Sequence, residues 1–163
     1  MKNRNNLILN CFLIVGYIGM LTLFVLLFIQ EGGLTAEISK LSKIKKILNI
    51  SPENLILIVS VIWVLISILI QYGIAKFLTV LCSESKPTRL MDVLIPKSLI
   101  LVFNVALITI FKVNSHIFFL YTALAGTMLI FVMSYIRQRK VRNSFIFTLP
   151  FLIDALASLM KNF

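Results

Sequence analysis

The residue best placed to do chemistry in this sequence is Asp154, which lies ten residues into an apolar segment running from Phe145 to Met160. A carboxylate that deep in a bilayer costs about 2.5–3.5 kcal/mol on insertion scales, so it should face other helices or water, or be protonated. Pro150, one turn earlier, cannot donate a backbone hydrogen bond and should kink the helix. This arrangement is typical of ion and proton sites. Two structural roles compete with it: Asp154 pairs with a basic group such as Lys112, or lies near the membrane surface because the span is short.

Two amides fall in other apolar segments and extend this set of polar residues. Asn104 lies in the middle of its segment, where an amide needs a partner helix or water to be satisfied. Gln71 begins a polar stripe at the far end of another segment. Together with Asp154, these residues define a candidate polar path through a membrane, and Pro150 is a further possible functional residue.

The composition is that of a membrane protein rather than a soluble domain. Of 163 residues, 60% are hydrophobic and 13% are charged, whereas soluble domains average about 45–50% and about 25%. The net charge is +10, but the basic residues flank apolar segments without an aromatic-interleaved basic motif, so membrane topology explains them better than nucleic-acid binding does. We therefore expect lipid contact and no nucleic-acid partner.

Sequence signatures of enzymes and metal sites are absent. Neither His-Glu-x-x-His, nor Gly-x-Ser-x-Gly, nor a Walker motif occurs in the sequence. Cys11 and Cys82 have no Cys-x-x-Cys spacing, and the single His116 cannot by itself build a histidine-rich metal site. We predict a non-enzymatic protein without a cofactor or metal.

Segment lengths predict an all-α integral membrane bundle in a single domain, with five transmembrane helices and one short interfacial amphipathic helix. About 20 apolar residues suffice for a helix to cross a bilayer. Ser51, Pro52 and Glu53 open the second span as N-cap, first helical residue and favourable charge at the positive helix end. The spans are predicted at about 7–30, 54–80, 92–111, 117–136 and 145–160, and the amphipathic helix at about 35–49.

The predicted amphipathic helix is basic, with apolar residues recurring at three- and four-residue steps. Such a helix lies in the interface with its lysines toward headgroups or a partner. Alternatively, it is a connector that only keeps its apolar side covered. Its basic residues are Lys40, Lys43, Lys45 and Lys46.

The distribution of lysine and arginine predicts a multi-pass cell-membrane protein with a cytoplasmic N-terminus and an extracytoplasmic C-terminus. In that orientation ten of the 16 basic residues face the cytoplasm and six face outward. The cytoplasmic set is predicted to contact a partner or anionic lipid mainly through Lys86, Arg89, Arg137, Arg139, Lys140 and Arg142.

The order of features from the second span onward resembles the YIP domain family of small membrane proteins. A long apolar helix runs into a short turn and a helix with an early proline, here Lys86 to Pro96 (KPTRLMDVLIP). A last helix pair, Leu120 to Ile136 and Phe145 to Met160, is joined by the basic turn Arg137 to Arg142. The resemblance implies a non-enzymatic, all-helical membrane subunit. Bacterial members often accompany ABC-type transporters, including those that export or resist antimicrobial peptides, and eukaryotic relatives act in vesicle trafficking.

Two functional hypotheses follow. The first is an accessory or scaffold subunit of a hetero-oligomeric membrane complex. The preferred partners are the ATPase and permease subunits of a bacterial ABC-type transporter. Such a transporter would act in antimicrobial peptide export or self-protection (bacteriocin immunity). The richness in Ile, Leu, Lys and Asn favours a bacterial source. The second hypothesis is a small ion- or solute-conducting protein whose polar path includes Asp154.

Overall fold

The computed structural model describes residues 2–32, 51–82, 88–113 and 115–161, with side chains from residue 9 onward. Throughout these ranges the regular structure is helical, with no strand. Each of five helices contains a stretch long and apolar enough to cross a membrane, which confirms the predicted helical, multi-pass class. The helices are α1 (Lys2–Gln30), α2 (Pro52–Cys82), α3 (Met91–Phe111), α4 (His116–Gln138) and α5 (Val141–Met160).

The helices begin and end close to the predicted apolar segments and continue into their polar flanks. At the start of α2, Ser51 acts as the expected N-cap, because its hydroxyl accepts a hydrogen bond of 3.3 Å from the backbone N–H of Asn54. The two largest differences are at helix starts: α1 begins at Lys2, five residues before its predicted span, and α5 begins at Val141, four residues before its own. The preceding Arg139 has a φ of 57°, and this left-handed residue ends α4 and turns the chain. The predicted amphipathic helix at 35–49 lies outside the described residues.

The five helices form a closed ring whose spatial order differs from the chain order. α1 packs against α2 and α3, α4 packs against α3 and α5, and α5 closes the ring against α2. One end, here called the basic end, contains the start of α3, the end of α4 and the start of α5. The opposite end, here called the far end, contains the end of α3 and the start of α4.

Packing inside the ring is apolar along most of its length. Phe147 and Phe151 of α5 are almost fully buried, and Ile130 of α4 and Val93 of α3 belong to the same cluster. Large apolar side chains on the outer faces are exposed, as expected where lipid would replace water. The interior therefore holds the helices together, while the outer surface suits a bilayer.

At the far end, aromatic rings close the interior of the ring. Phe119 of α4 meets Phe24 and Phe28 of α1 edge-on, with ring centroids 5.3 and 5.4 Å apart. Edge-to-face pairs add about 0.5–1.5 kcal/mol beyond the area they bury. Nearby, the Lys112 ammonium pairs with a Glu31 carboxylate oxygen at 3.1 Å.

At the basic end, a hydrogen bond ties α2 to the segment that leads into α3. The Tyr72 hydroxyl donates to the backbone carbonyl of Thr88 at 3.1 Å, and its ring packs edge-on against Phe147. We expect Tyr72→Phe to lower the free energy of unfolding by about 1 kcal/mol, because only the hydrogen bond is lost. Unfolding in mixed detergent micelles measures this loss. Tyr121→Phe, at an exposed position on α4, is the matched control, and equal stability of the two variants would contradict the prediction.

Candidate intramembrane polar sites

A lateral groove of about 510 Å³ runs between α2 and α5. Most of its lining is apolar, and Asp154 is the one charged group in it. Two of the three predicted polar-path residues, Asp154 and Gln71, therefore share this groove with Pro150. The lining residues are Trp63, Ile66, Ser67, Ile70, Gln71, Ile74, Leu78, Leu149, Pro150, Ile153, Asp154 and Ala157.

Asp154 lies deep within α5 and is exposed toward the groove. At 1.5 Å per residue it is roughly 20 Å from the start of the helix and roughly 9 Å from its end, within the hydrocarbon depth of a bilayer. In the part of the chain that the structure describes, its carboxylate has no ion-pair or hydrogen-bond partner. The alternative that Lys112 neutralises it is wrong, since Lys112 pairs with Glu31 at the far end.

Gln71 presents a partly unsatisfied amide beside the same groove. Its side-chain Nε2 donates to the Ser67 hydroxyl at 3.0 Å, one turn earlier on α2. Its Oε1 is buried and has no hydrogen-bond partner. Pro150 lies across the groove within α5, where it has no N–H to donate to the carbonyl of Ile146. Both helices thus bring polar groups to an otherwise apolar groove.

Asn104 lies elsewhere, in a cavity of about 230 Å³, here called the interior cavity, which is partly open to the outside and is lined by residues of α1, α3 and α4 and by Val64 of α2. It is 5% exposed, and its Oδ1 has no hydrogen-bond partner. Tyr17 and Thr127 also line the cavity. The predicted polar path is therefore divided between two separate spaces.

Lys97 is the charged residue of this interior cavity. It lies inside α3, two turns before Asn104 and on the same face, and its ammonium is 5.6 Å from the centroid of the Phe151 ring. A cation over an aromatic face gains about 0.5–2 kcal/mol. Within the described ranges no carboxylate forms an ion pair with Lys97, although the Asp154 carboxylate acts on it through space.

A buried ion pair joins α3 to α4 at the basic end. Nη1 of Arg137 donates to Oδ2 of Asp92 at 2.6 Å, and the backbone N–H of Arg89 donates to the same oxygen at 3.1 Å. Asp92 is 2% exposed, whereas a quarter of the Arg137 side chain remains exposed. Arg137, which the sequence predicts as a partner contact, therefore forms an ion pair within the bundle.

Comparisons of the chain with protein-family models, with curated proteins and with solved structures find no match. The family resemblance of the KPTRLMDVLIP segment and the last helix pair therefore remains a prediction. The structure itself establishes the helical class and five candidate membrane spans.

The other predicted contact residues fall into two groups. Arg89, Arg139, Lys140 and Arg142 are exposed at the basic end. Lys86 and the four lysines of the predicted amphipathic helix lie outside the described residues. Among the residues described, no group of three or more His, Cys, Asp and Glu side chains could hold a metal ion.

Sequence reasoning missed the roles of Lys97 and Asp92, although signals for both were present. Lys97 and Asn104 are seven residues apart, a spacing that places them on one helix face. Asp92 lies near the start of α3, and Arg137 lies near the end of α4. Because α3 and α4 are joined by a short turn at the far end, these positions meet at the same level of the bundle.

Proposed function

We propose that this chain is a non-enzymatic accessory subunit of a membrane complex, with a bacterial ABC-type transporter in antimicrobial peptide export or self-protection as the preferred partner. The observation that carries the proposal is the groove between α2 and α5. It is mostly apolar and contains a single carboxylate that forms no contact ion pair or hydrogen bond among the described residues. Such a surface suits a neighbouring helix better than it suits catalysis.

Charge complementarity specifies the partner helix. An ionised Asp154 in contact with lipid is costly, and a lysine or arginine at the same depth of a partner helix would remove much of that cost. Ser67 and Gln71 line the same groove and can hydrogen-bond to polar groups of that helix. A permease helix with one basic residue in its apolar span fits this site.

The basic end supplies a second contact surface. Arg139, Lys140 and Arg142 lie around the turn between α4 and α5 and are exposed. With a cytoplasmic N-terminus, this turn faces the cytoplasm, where basic residues are enriched and anionic lipid headgroups attract them. A cytoplasmic ATPase subunit or the lipid surface would meet these three residues.

Photo-crosslinking combined with co-purification tests the proposal. In the test variant, a photoreactive residue replaces Trp63, which is exposed and lines the groove. In the matched control, the photoreactive residue replaces Phe103, which is exposed on α3. The tagged protein is irradiated in its native membrane, solubilised in mild detergent and analysed by mass spectrometry. We expect a permease-type subunit crosslinked through position 63 in clear excess over position 103, with an ATPase in constant ratio. Recovery of the chain alone, or equal crosslinking from both positions, would contradict the proposal.

A small ion- or solute-conducting protein is the second candidate, favoured by the presence of Asp154, Gln71 and Pro150 in one groove. This hypothesis predicts that purified protein in liposomes conducts, and that Asp154→Asn abolishes flux while folded protein is retained. The accessory hypothesis predicts no flux from the native protein alone. Flux measured on native and variant liposomes therefore separates the two candidates.

A further inference from the structure

The interior cavity combines one cation with one unsatisfied acceptor in an apolar wall. Lys97 and Asn104 supply the polar groups from α3, while Leu21, Ile100 and Ile130 contribute apolar wall from three helices. Lys97 lies six residues beyond the start of α3, within a candidate membrane span. Its side chain is half-buried, and its ammonium lies against the Phe151 ring rather than among the exposed charges of the basic end.

Among the described residues, no carboxylate forms a contact ion pair with the Lys97 ammonium. The Lys97 ammonium lies over the Phe151 ring, and Asp154, one turn beyond Phe151, acts on it only through space. A charged group removed from water needs a paired, hydrogen-bonded counter-charge to recover its desolvation cost. The cavity leaves room for that counter-charge beside Lys97.

The size and wall of the cavity limit what can fill it. At about 30 Å³ per water, 230 Å³ has room for roughly eight water molecules or a similar number of non-hydrogen atoms. The apolar wall favours an aliphatic body, and Lys97 favours an anionic end. Asn104 Oδ1 can accept a hydrogen bond from a water molecule enclosed with the ligand.

We propose that the cavity between α1, α3 and α4 binds a short aliphatic carboxylate, whose charged end pairs with the Lys97 ammonium and whose chain lies along Leu21, Ile100 and Ile130. The site is distinct from the α2–α5 groove and does not depend on the proposed partner. The aromatic cluster of Phe24, Phe28 and Phe119 closes it toward the far end. It is a binding site within the bundle, not an open passage through it.

Equilibrium binding of labelled pentanoate to the purified protein in lipid nanodiscs tests this proposal, with empty nanodiscs correcting for partition into lipid. We expect saturable binding of one pentanoate per chain. Lys97→Met keeps the length of the side chain and removes its charge, and should weaken binding at least tenfold. The matched control is Lys76→Met, at an exposed position on α2, which should bind as the native protein does. Pentylammonium, with the same chain and the opposite charge, should not bind.

Three results would overturn the proposal: no saturable binding above empty nanodiscs, unchanged binding by Lys97→Met, or equal binding of pentylammonium. If Lys97→Met does not fold, Ala123→Leu takes its place, because Ala123 lines the cavity at an exposed position and the larger side chain should narrow its opening. Native-like pentanoate binding by a folded Ala123→Leu protein would equally overturn the proposal. Pentanoate binding needs no partner. Binding can therefore be absent while crosslinking through position 63 succeeds, and binding can be present while that crosslinking fails.

Discussion

Replacing Asp92 by Asn is expected to lower the free energy of unfolding by about 1–3 kcal/mol, the range for an unsatisfied group that keeps some access to water, as Arg137 does. The reason is that the substitution removes the charged partner of Arg137 without removing Arg137. The Asp92 carboxylate is 2% exposed, and one of its oxygens accepts from both the Arg137 guanidinium and the Arg89 backbone. An amide can replace one of these interactions but cannot neutralise the guanidinium.

Reversible unfolding in mixed micelles measures the Asp92 effect, and Glu31→Gln provides the matched control. Glu31 belongs to the exposed pair with Lys112, whose side chain is 68% exposed. Exposed pairs contribute about 0–1 kcal/mol, so this variant should unfold close to the native protein. An Asp92→Asn protein no less stable than Glu31→Gln would show that the buried pair does not hold α3 to α4.

The double variant Asp92→Leu with Arg137→Met refines the same test. The stability loss in Asp92→Asn is expected to come from leaving the Arg137 guanidinium without a counter-charge. In that case removing both charges should restore most of the stability, as is found when buried ion pairs are replaced by apolar residues. If the double variant is as unstable as the single one, the hydrogen bond from Arg89 and the local backbone at the start of α3 carry the stability instead.

Replacing Asp154 by Leu is expected to change stability and partner binding in opposite directions. The isolated protein should become more stable by about 1–3 kcal/mol, because a carboxylate at hydrocarbon depth is removed and the through-space attraction to Lys97 is weaker than a contact ion pair. Recovery of the proposed partner should fall at least tenfold, because the groove loses the charge that selects a basic helix. Micelle unfolding and quantitative mass spectrometry of the co-purified proteins measure the two effects.

Asp154→Glu is the control, since it keeps the charge in the same groove and should retain the partner. A partner recovered equally with Leu and with Glu at position 154 would show that the carboxylate does not select it. A loss of stability in the isolated Asp154→Leu protein would instead assign the carboxylate a structural role through Lys97. The two measurements thus separate partner selection from internal packing.

The five helices could be predicted from the sequence because each depends on a local property, a run of apolar residues of sufficient length. The start of α2 could also be predicted, because the preferences of Ser51 for the N-cap and of Pro52 for the first helical position do not depend on the rest of the fold. The start of α5 was harder to predict, because Val141 to Ser144 precede the apolar segment and are nevertheless helical. The left-handed Arg139 separates them from α4. Such a turn is set by backbone geometry and not by hydropathy.

The polar residues of the candidate sites could be predicted from the sequence. Which of them share a groove or cavity could not be predicted. Asp154, Gln71 and Asn104 were recognised from their depth in apolar segments, yet which of them share a space depends on the order of the helices around the ring. That order brings α5 to α2 and leaves Asn104 facing α1 and α4. Lys97 falls inside the predicted span at 92–111, but its contact with the Phe151 ring depends on how the helices pack and could not be predicted from the sequence.

The closed ring has a consequence for how the bundle is held together. α2 is followed in the chain by α3, yet its neighbours in the ring are α1 and α5, so α2 and α5 pack together although two helices lie between them in the chain. α5 is also the least apolar of the five candidate spans. We therefore expect α5 to need the surfaces of α2 and α4, which precede it in the chain, to hold its place in the bundle. A chain that lacks α5 would leave both of these surfaces without their packing partner and would open the ring.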